Sequence, residues 1–176
     1  MVTIKICNIS DLETSKNDVI CKLNELHSKT DKNDKNDIKR TNNYLEWISQ
    51  KTKMIIDEPN YICEDEKILI RGNVVWIDFG FNIGNEFGGK HPAIILRKTK
   101  DSVFVVPISS KRPNIINKYH VQIDKIYNFK DMERWVNVLR VKQVSIQRID
   151  FNSSIGNIKG YILDKISEAI KETYIF

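Results

Sequence analysis

The chain has 176 residues, of which 41% are hydrophobic and 29% are charged, and its formal net charge at pH 7 is +5. This composition is typical of a soluble globular protein with one core and room for an appended subdomain. No apolar run reaches the roughly 18 residues of a membrane span, and the N-terminus lacks the pattern of a secretory signal. We therefore expect a cytoplasmic protein with no membrane partner.

The residue types that hold metals or disulfides are few and scattered. The cysteines are odd in number and widely spaced, at Cys7, Cys21 and Cys63. Such spacing fits neither a disulfide framework nor a zinc site and favours a reducing compartment. The histidines are equally dispersed, at His27, His91 and His120, and no acidic cluster accompanies them. We therefore expect no metal and no cofactor.

The charge is unevenly distributed along the chain. Residues 1–66 carry 10 Lys and Arg against 13 Asp and Glu, a balance of −3, whereas residues 67–176 carry 18 against 10, a balance of +8. A domain of this size and charge attracts polyanions, of which nucleic acid is the first to consider. The alternative is that the charge only keeps the protein soluble.

Two helices are predicted in the first 60 residues. Ser10-Asp11-Leu12-Glu13 has the form of a capping box, and apolar residues follow at helical spacing, at Val19, Ile20, Leu23 and Leu26. The polar stretch 30–37 reads as a loop, and a second helix is predicted over about 37–55, ended by Glu58-Pro59-Asn60. We expect these helices to form a hairpin.

From residue 68 the pattern changes from helical to strand-like. Five short runs rich in β-branched and aromatic residues are separated by turns: residues 69–80, 92–99, 102–109, 119–124 and 135–144. Five such strands in about 80 residues predict a small, strongly curved antiparallel sheet or barrel. Ile162, Ile166 and Ile170 then recur every four residues and predict a C-terminal helix.

The turn Gly88-Gly89-Lys90-His91-Pro92 is the first candidate site. The glycines permit a compact loop that a ligand can approach closely, and Pro92 biases His91 toward extended geometry at the start of a strand. A histidine held there suits proton transfer, because its ordinary pKa lies near neutral pH. The alternative is a loop histidine that only hydrogen-bonds the backbone.

Two further stretches offer groups for binding phosphate. The strand ending in Ser109 and Ser110 continues into Lys111 and Arg112, so hydroxyls and cations meet at one strand end. No nucleophile-elbow motif surrounds either serine, which disfavours a serine hydrolase. These side chains could equally be a solvated strand end.

The second of these stretches is the run 135–144. There Arg140 and Lys142 are two residues apart, which predicts that they share one face of a strand. A cationic strand face suits binding to an RNA backbone, or it could be the wet face of a half-buried sheet.

Read in order, these motifs resemble the MazF/PemK family of toxins from toxin–antitoxin systems. The matching segments are Arg71-Gly72-Asn73-Val74, Asp78, residues 84–92, residues 107–110, residues 119–123 and Gln143. The resemblance covers about residues 68–172 and is specific as an ordered set, whereas no single piece would suffice. It implies a mainly β (α+β) fold, an SH3-like barrel with a C-terminal helix, here preceded by the helical hairpin.

The resemblance also implies a function. Such toxins cleave single-stranded RNA at short sequences without a metal, by attack of the ribose 2′-OH. They act as homodimers, inhibit translation and growth, and are neutralised by a cognate antitoxin. The implied catalytic residues are His91, Ser109 and Arg140. The substrate-binding residues predicted from the matched motifs together with the charge pattern are Glu86, Gly88, Gly89, Lys90, Ser110, Lys111, Arg112, Lys142 and Gln143. Among these, Lys142 stands where related toxins have an acidic residue.

The match departs from the family at the catalytic pair. The family has an arginine where this chain has His91 and a threonine where it has Ser109. Serine keeps the hydroxyl, but histidine replaces a permanent charge and a bidentate phosphate clamp. Two alternatives therefore stay open: a CcdB-like toxin that binds DNA gyrase without catalysis, and a barrel that binds RNA but is catalytically impaired.

The predicted domains are a hairpin extension at residues 1–66 and the toxin barrel at residues 67–176. One hypothesis is that the hairpin, with its charge balance of −3, lies beside the basic groove and limits RNA entry or offers a docking face to the antitoxin. The alternative is that its apolar stripe extends the core.

Overall fold

The computed structural model describes residues 8–174 and divides into two compact units between Ile56 and Asp57. Cys7 lies outside the described residues. The segment 57–66 belongs to the second unit, where Glu66 pairs with Lys98 at 3.0 Å and Cys63 packs against the core. The domain boundary predicted at residue 66 stays a prediction, ten residues beyond this division.

The first unit is the predicted helical hairpin. Helix α1 spans Ile9–Lys29 and helix α2 spans Lys35–Asp57, the last residue of α2 falling just past the division. The predicted capping box at Ser10 and Glu13 is wrong. Asn8, an equally good N-cap, lies two residues earlier and exchanges hydrogen bonds with Asp11 in the reciprocal arrangement of a capping box.

The two helices meet near their connecting loop and leave much of their apolar surface exposed. The hydroxyls of Thr30 and Thr41, both buried, lie 2.8 Å apart. Helix α1 has no buried residue, and Val19 keeps 53% of its surface exposed. Two helices can cover only part of each other, so the stripe predicted from the sequence is present but not enclosed.

The second unit is an eight-stranded antiparallel sheet closed by one helix. Its strands are β1 (Asn73–Asp78), β2 (Lys90–Lys98), β3 (Ser102–Ser109), β4 (His120–Ile123), β5 (Arg134–Asn137), β6 (Lys142–Ser145), β7 (Ile149–Asp150) and β8 (Gly156–Asn157). They run in the order β4-β5-β3-β2-β1-β7, with β6 also on β3 and β8 also on β1. Helix α3 spans Gly160–Tyr174. The predicted α+β class, with an SH3-like barrel between the hairpin and the last helix, is confirmed.

The predicted strand over residues 135–144 is two strands. A 3-10 turn at Val138–Arg140 separates β5 from β6, and the Asn137 side chain accepts a hydrogen bond from the Leu139 amide to hold it. Both strands pair with β3, β6 along its first half and β5 at its end. Arg140 therefore lies in the turn and Lys142 opens β6, so the prediction that they share one strand face is wrong.

The core lies on both faces of the three central strands. Val74, Ile94 and Val106 face one side, where α3 adds the fully buried Ile162 and Ile166 of its predicted stripe. The residues that alternate with them, including Val75, Ile95 and Val105, face a second apolar cluster, as the two-residue repeat of a strand requires. Because the side chains on both faces are packed in these clusters, a shift in strand register would disrupt the packing of both.

The segment 57–66 should be needed for barrel stability although it precedes the predicted barrel. A chain beginning at Asp57 should fold, whereas one beginning at Lys67 should lose about 1–2 kcal/mol of unfolding free energy, because the partly buried Cys63 is removed. Chemical denaturation of the two chains measures the difference. Equal stabilities would show that this segment contributes nothing to the barrel.

Candidate active site

His91 and Ser109 lie at the same end of two paired strands. The pairing between β2 and β3 ends with Ala93 opposite Pro107, and His91 and Ser109 each lie two residues beyond this pair. Side chains two residues apart along a strand face the same side. The backbone thus places the imidazole and the hydroxyl on one face at one end of the sheet.

Phe87 connects His91 with Arg140. Its ring centroid lies 4.7 Å from that of His91, and the guanidinium carbon of Arg140 lies 4.9 Å from the same Phe87 ring. Burial lowers the pKa of His91, and the positive charge of Arg140 lowers it further, against a smaller opposing effect of the Gly88 backbone. His91 is therefore mainly neutral at pH 7 and able to accept a proton.

Ser109 and Arg140 also line a cavity of about 330 Å³, which we call the Ser109 cavity. Its polar lining includes Ser109, Lys111, Arg112, His120, Asn137 and Arg140. The amide of Lys111 donates to Ser109 Oγ at 3.0 Å. This bond orients the hydroxyl at the end of β3, where the next loop begins. Three cations and a hydroxyl around one cavity form an anion-binding environment.

The loop before His91 is held by its own hydrogen bonds. The amide of Gly89, at φ 79°, donates to the Gly80 carbonyl at 2.8 Å, and the Asn82 side chain donates to the Phe87 carbonyl at 2.6 Å. A Cβ on Gly88 would come within 2.5 Å of the Gly80 carbonyl oxygen. Gly88 thus has no room for a side chain, Gly89 adopts a φ that favours glycine, and both help to position Phe87 and His91.

The predicted cations have different environments. Lys111 and Arg112 are exposed on the loop after β3, next to the exposed Ser110. Lys90 instead forms an ion pair with Asp150, and this bond, with help from Ser153, lowers the pKa of Asp150 to about 2.

Lys142 is half-buried beneath the loop before His91. Its ammonium lies 3.5 Å from the Phe87 carbonyl and 5.8 Å from the centre of the Phe79 ring. It thus supports the loop that carries Phe87.

Two predicted binding residues do not join this group. Gln143 donates to Ser102 Oγ at the opposite end of β3, seven residues and roughly 23 Å from Ser109. It lines a separate groove, of about 640 Å³, with Glu58. Glu86 is exposed in the loop before β2. The catalytic and binding roles of all these residues stay predictions.

Four residues of the site were missed in the sequence. Phe87 lies within the glycine-rich turn, and His120, Trp135 and Asn137 line the Ser109 cavity from β4 and β5. Asn137 pairs with His120, and Trp135 pairs with Ser109, in the strand register. Trp135 and Asn137 are two residues apart, which places their side chains on one face of a strand. This spacing could have indicated their shared role only if the pairing of β5 with β3 had been known.

Within residues 8–174, no cluster of three or more His, Cys, Asp and Glu side chains is arranged to hold a metal ion. Over the same residues, no helix has both the length and the apolar character needed to cross a bilayer.

Comparison with solved structures gives distant similarities. MazF from Deinococcus radiodurans matches at 15% identity and a TM-score of 0.48, over 58% of this chain and 93% of that chain. An endoribonuclease in complex with its cognate antitoxin, from a mycobacterial species, matches at 16% identity and a TM-score of 0.43, over 58% and 91% of the two chains. No curated protein sequence matches significantly.

The family model for PemK-like, MazF-like toxins of type II toxin–antitoxin systems matches residues 70–174. This range contains the whole sheet, α3 and every residue of the candidate site. The hairpin lies before it, as expected of an extension. The chain belongs to the PemK-like, MazF-like toxin family.

Proposed function

We propose that this toxin is a metal-independent endoribonuclease that cleaves single-stranded messenger RNA and so inhibits translation and growth. The observation that carries the proposal is the arrangement of His91, Phe87 and Arg140, with Arg140 and Ser109 sharing the cationic Ser109 cavity. This arrangement offers a proton acceptor, a hydroxyl and fixed positive charge within one small region.

The reaction is attack of a ribose 2′-OH on the adjacent phosphate. The O2′–P bond forms, the P–O5′ bond breaks, and the proton of the 2′-OH must be accepted. His91 is suited to accept it because its lowered pKa leaves the ring neutral at pH 7. The leaving O5′ takes its proton from the imidazolium so formed or from water.

Arg140 and Ser109 stabilise the charge that develops on the phosphate. The Ser109 oxygen already accepts a hydrogen bond from the Lys111 amide, and its own hydrogen has only a 3.4 Å contact to the Lys111 carbonyl. That hydrogen is therefore available to a phosphate oxygen. Arg140 supplies the permanent charge that the family obtains from the arginine that His91 replaces, and such electrostatic stabilisation is a large part of catalysis.

The partners follow from membership of a type II toxin family. We propose a cognate antitoxin that covers the cationic surface and a homodimer as the active form. Single-stranded RNA is the proposed substrate because an unpaired, flexible RNA chain can enter a cavity at the end of a β-strand, whereas a stiff duplex cannot. The gyrase-binding alternative gives no reason for a cavity lined by cations and a hydroxyl.

Loss of the His91 imidazole should abolish most cleavage. We expect His91→Ala to cut long single-stranded RNA about 10²-fold or more slowly in EDTA, because proton transfer contributes on this scale. The matched control is His27→Ala, which removes an exposed histidine of α1 and should leave the rate unchanged. Gel analysis of RNA fragments measures both, with melting curves to verify folding.

A folded His91→Ala protein that cleaves like wild type would contradict the catalytic assignment. No cleavage by wild type, with RNA binding retained, would favour the catalytically impaired barrel. His91→Arg separates the two roles of the position: retained activity would assign it to charge stabilisation and lost activity to proton transfer.

The acid side of the pH profile should depend on Arg140. A base must be neutral, so the rate rises with pH through the pKa of His91, which lies below its ordinary 6.5. Arg140→Gln removes a positive charge that lowers the pKa of His91. That pKa should therefore rise, and the rise of the cleavage rate with pH should shift to higher pH. NMR titration of the imidazole measures the pKa directly, and an unchanged value would show that Arg140 does not act on His91.

RNA affinity should depend on salt through the cavity cations. Lys111→Gln should flatten the slope of log K against log salt by about 0.7, the expected loss for one phosphate contact on a single strand. Lys171→Gln is the control, because Lys171 lies on α3 and pairs with Glu168. Fluorescence anisotropy over a salt series measures the slopes; equal slopes for Lys111→Gln and wild type would exclude a phosphate contact there.

A further inference from the structure

The Ser109 cavity contains a histidine that the proposed reaction does not use. His120 lines the cavity from β4, and its Nδ1 atom is buried without a hydrogen-bond partner among residues 8–174. A buried N–H without an acceptor is rarer than an acceptor without a donor. Placing the ring proton on Nε2 avoids a buried unpaired N–H, so we take His120 as a hydrogen-bond donor through Nε2.

Asn137 supplies a second donor beside it. Asn137 pairs directly with His120 across β4 and β5, which places the two Cβ atoms about 5 Å apart. The oxygen of the Asn137 side chain accepts from the Leu139 amide at 3.0 Å. Its NH₂ group is therefore the part of the side chain left to face a ligand in the cavity.

The remaining polar lining is also dominated by donors. Lys111, Arg112 and Arg140 only donate, and the Ser109 oxygen is already occupied by the Lys111 amide. The exposed Asn114 amide can offer either a donor or an acceptor. Among residues 8–174, no carboxylate lines the cavity. The cavity thus favours ligand groups that accept hydrogen bonds.

The shape and place of the cavity fit a nucleobase beside the reacting phosphate. Its apolar walls include Pro107 and the Trp135 ring, and its volume is about 330 Å³. His120 lies two strands from β3, roughly 10 Å across the sheet from the strand that carries Ser109. That separation matches a phosphate held near Ser109 with its base directed toward β4.

We propose that the Ser109 cavity binds the base next to the cleaved phosphodiester and selects keto bases, guanine or uracil, through donation by His120 and Asn137. The proposal rests on RNA being the substrate, as proposed above. A keto oxygen has two lone pairs and accepts from both donors at once. Adenine and cytosine carry an amino group at the same ring position. This amino group is a hydrogen-bond donor and would face the donors of His120 and Asn137 without an acceptor between them.

Binding tests this selection separately from cleavage. The probes are hexamers of 2′-O-methyl uridine and 2′-O-methyl cytidine, in which the attacking hydroxyl is blocked. We expect wild type to bind the uridine hexamer about tenfold more tightly, a typical discrimination for a base contact of this kind. Fluorescence anisotropy measures both affinities.

Asn137→Asp is the decisive variant. The carboxylate keeps the oxygen that caps Leu139 but replaces the donor by an acceptor, so the preference for uridine should be lost or reversed. His120→Phe removes the other donor while keeping a ring, and should reduce the preference. The control is Asn36→Asp, which makes the same substitution at an exposed position of α2; its preference should equal that of wild type.

Sequencing the ends of the fragments from a cleaved random RNA pool measures the base preference of the cleavage reaction itself. Wild type should show guanine or uracil at one position flanking the cut, and Asn137→Asp should relax it. Equal hexamer affinities in wild type, or an unchanged preference in Asn137→Asp, would overturn the inference even if RNA is cleaved. Conversely, a base preference in binding without any cleavage would overturn the proposed nuclease activity but would support the proposed base-binding role of the Ser109 cavity.

Discussion

Pairing of β3 along both of its edges is the constraint on which the second unit depends. One edge pairs with β2, and the other pairs first with β6 and then with β5. The side chains of Val103, Val105 and Val106 have no exposed surface, so a one-residue slip would move buried valines to the wrong face. This register also decides which side chains surround Ser109, since every strand of the cavity is positioned through β3.

The sequence predicts the helices and most strands because each has its own periodic pattern. It misses the turn at Val138–Arg140, because residues 135–144 have a valine at every second or third position and no Gly or Pro. The turn depends instead on which half of β3 each strand joins. The same limit applies to the site. His91 and Ser109 can be placed at one sheet end from local motifs, whereas the pairing of Lys90 with Asp150, 60 residues away, has no local signal.

The division at Ile56 changes how the chain's charge is assigned. Residues 57–66 hold five Asp and Glu and no Lys or Arg, whereas residues 1–56 hold 10 Lys and Arg against 8 Asp and Glu. The negative balance of residues 1–66 therefore comes from the segment that belongs to the barrel unit. Charge attraction thus gives no support to the hypothesis that the hairpin covers the basic groove, and its exposed apolar stripe is the feature that any account of the hairpin must explain.

The bonded loop before His91 also defines where this toxin can change over evolutionary time. Gly88 is closed to every larger residue by the Gly80 carbonyl, and Phe87 is held between His91 and Arg140. Ile83, Asn85 and Glu86, just before Phe87, are exposed, whereas Gly84 among them has a φ of 59° that favours glycine. Mutations can therefore accumulate at Ile83, Asn85 and Glu86 without unfolding the barrel, so that a lineage can acquire new surface chemistry beside the candidate active site.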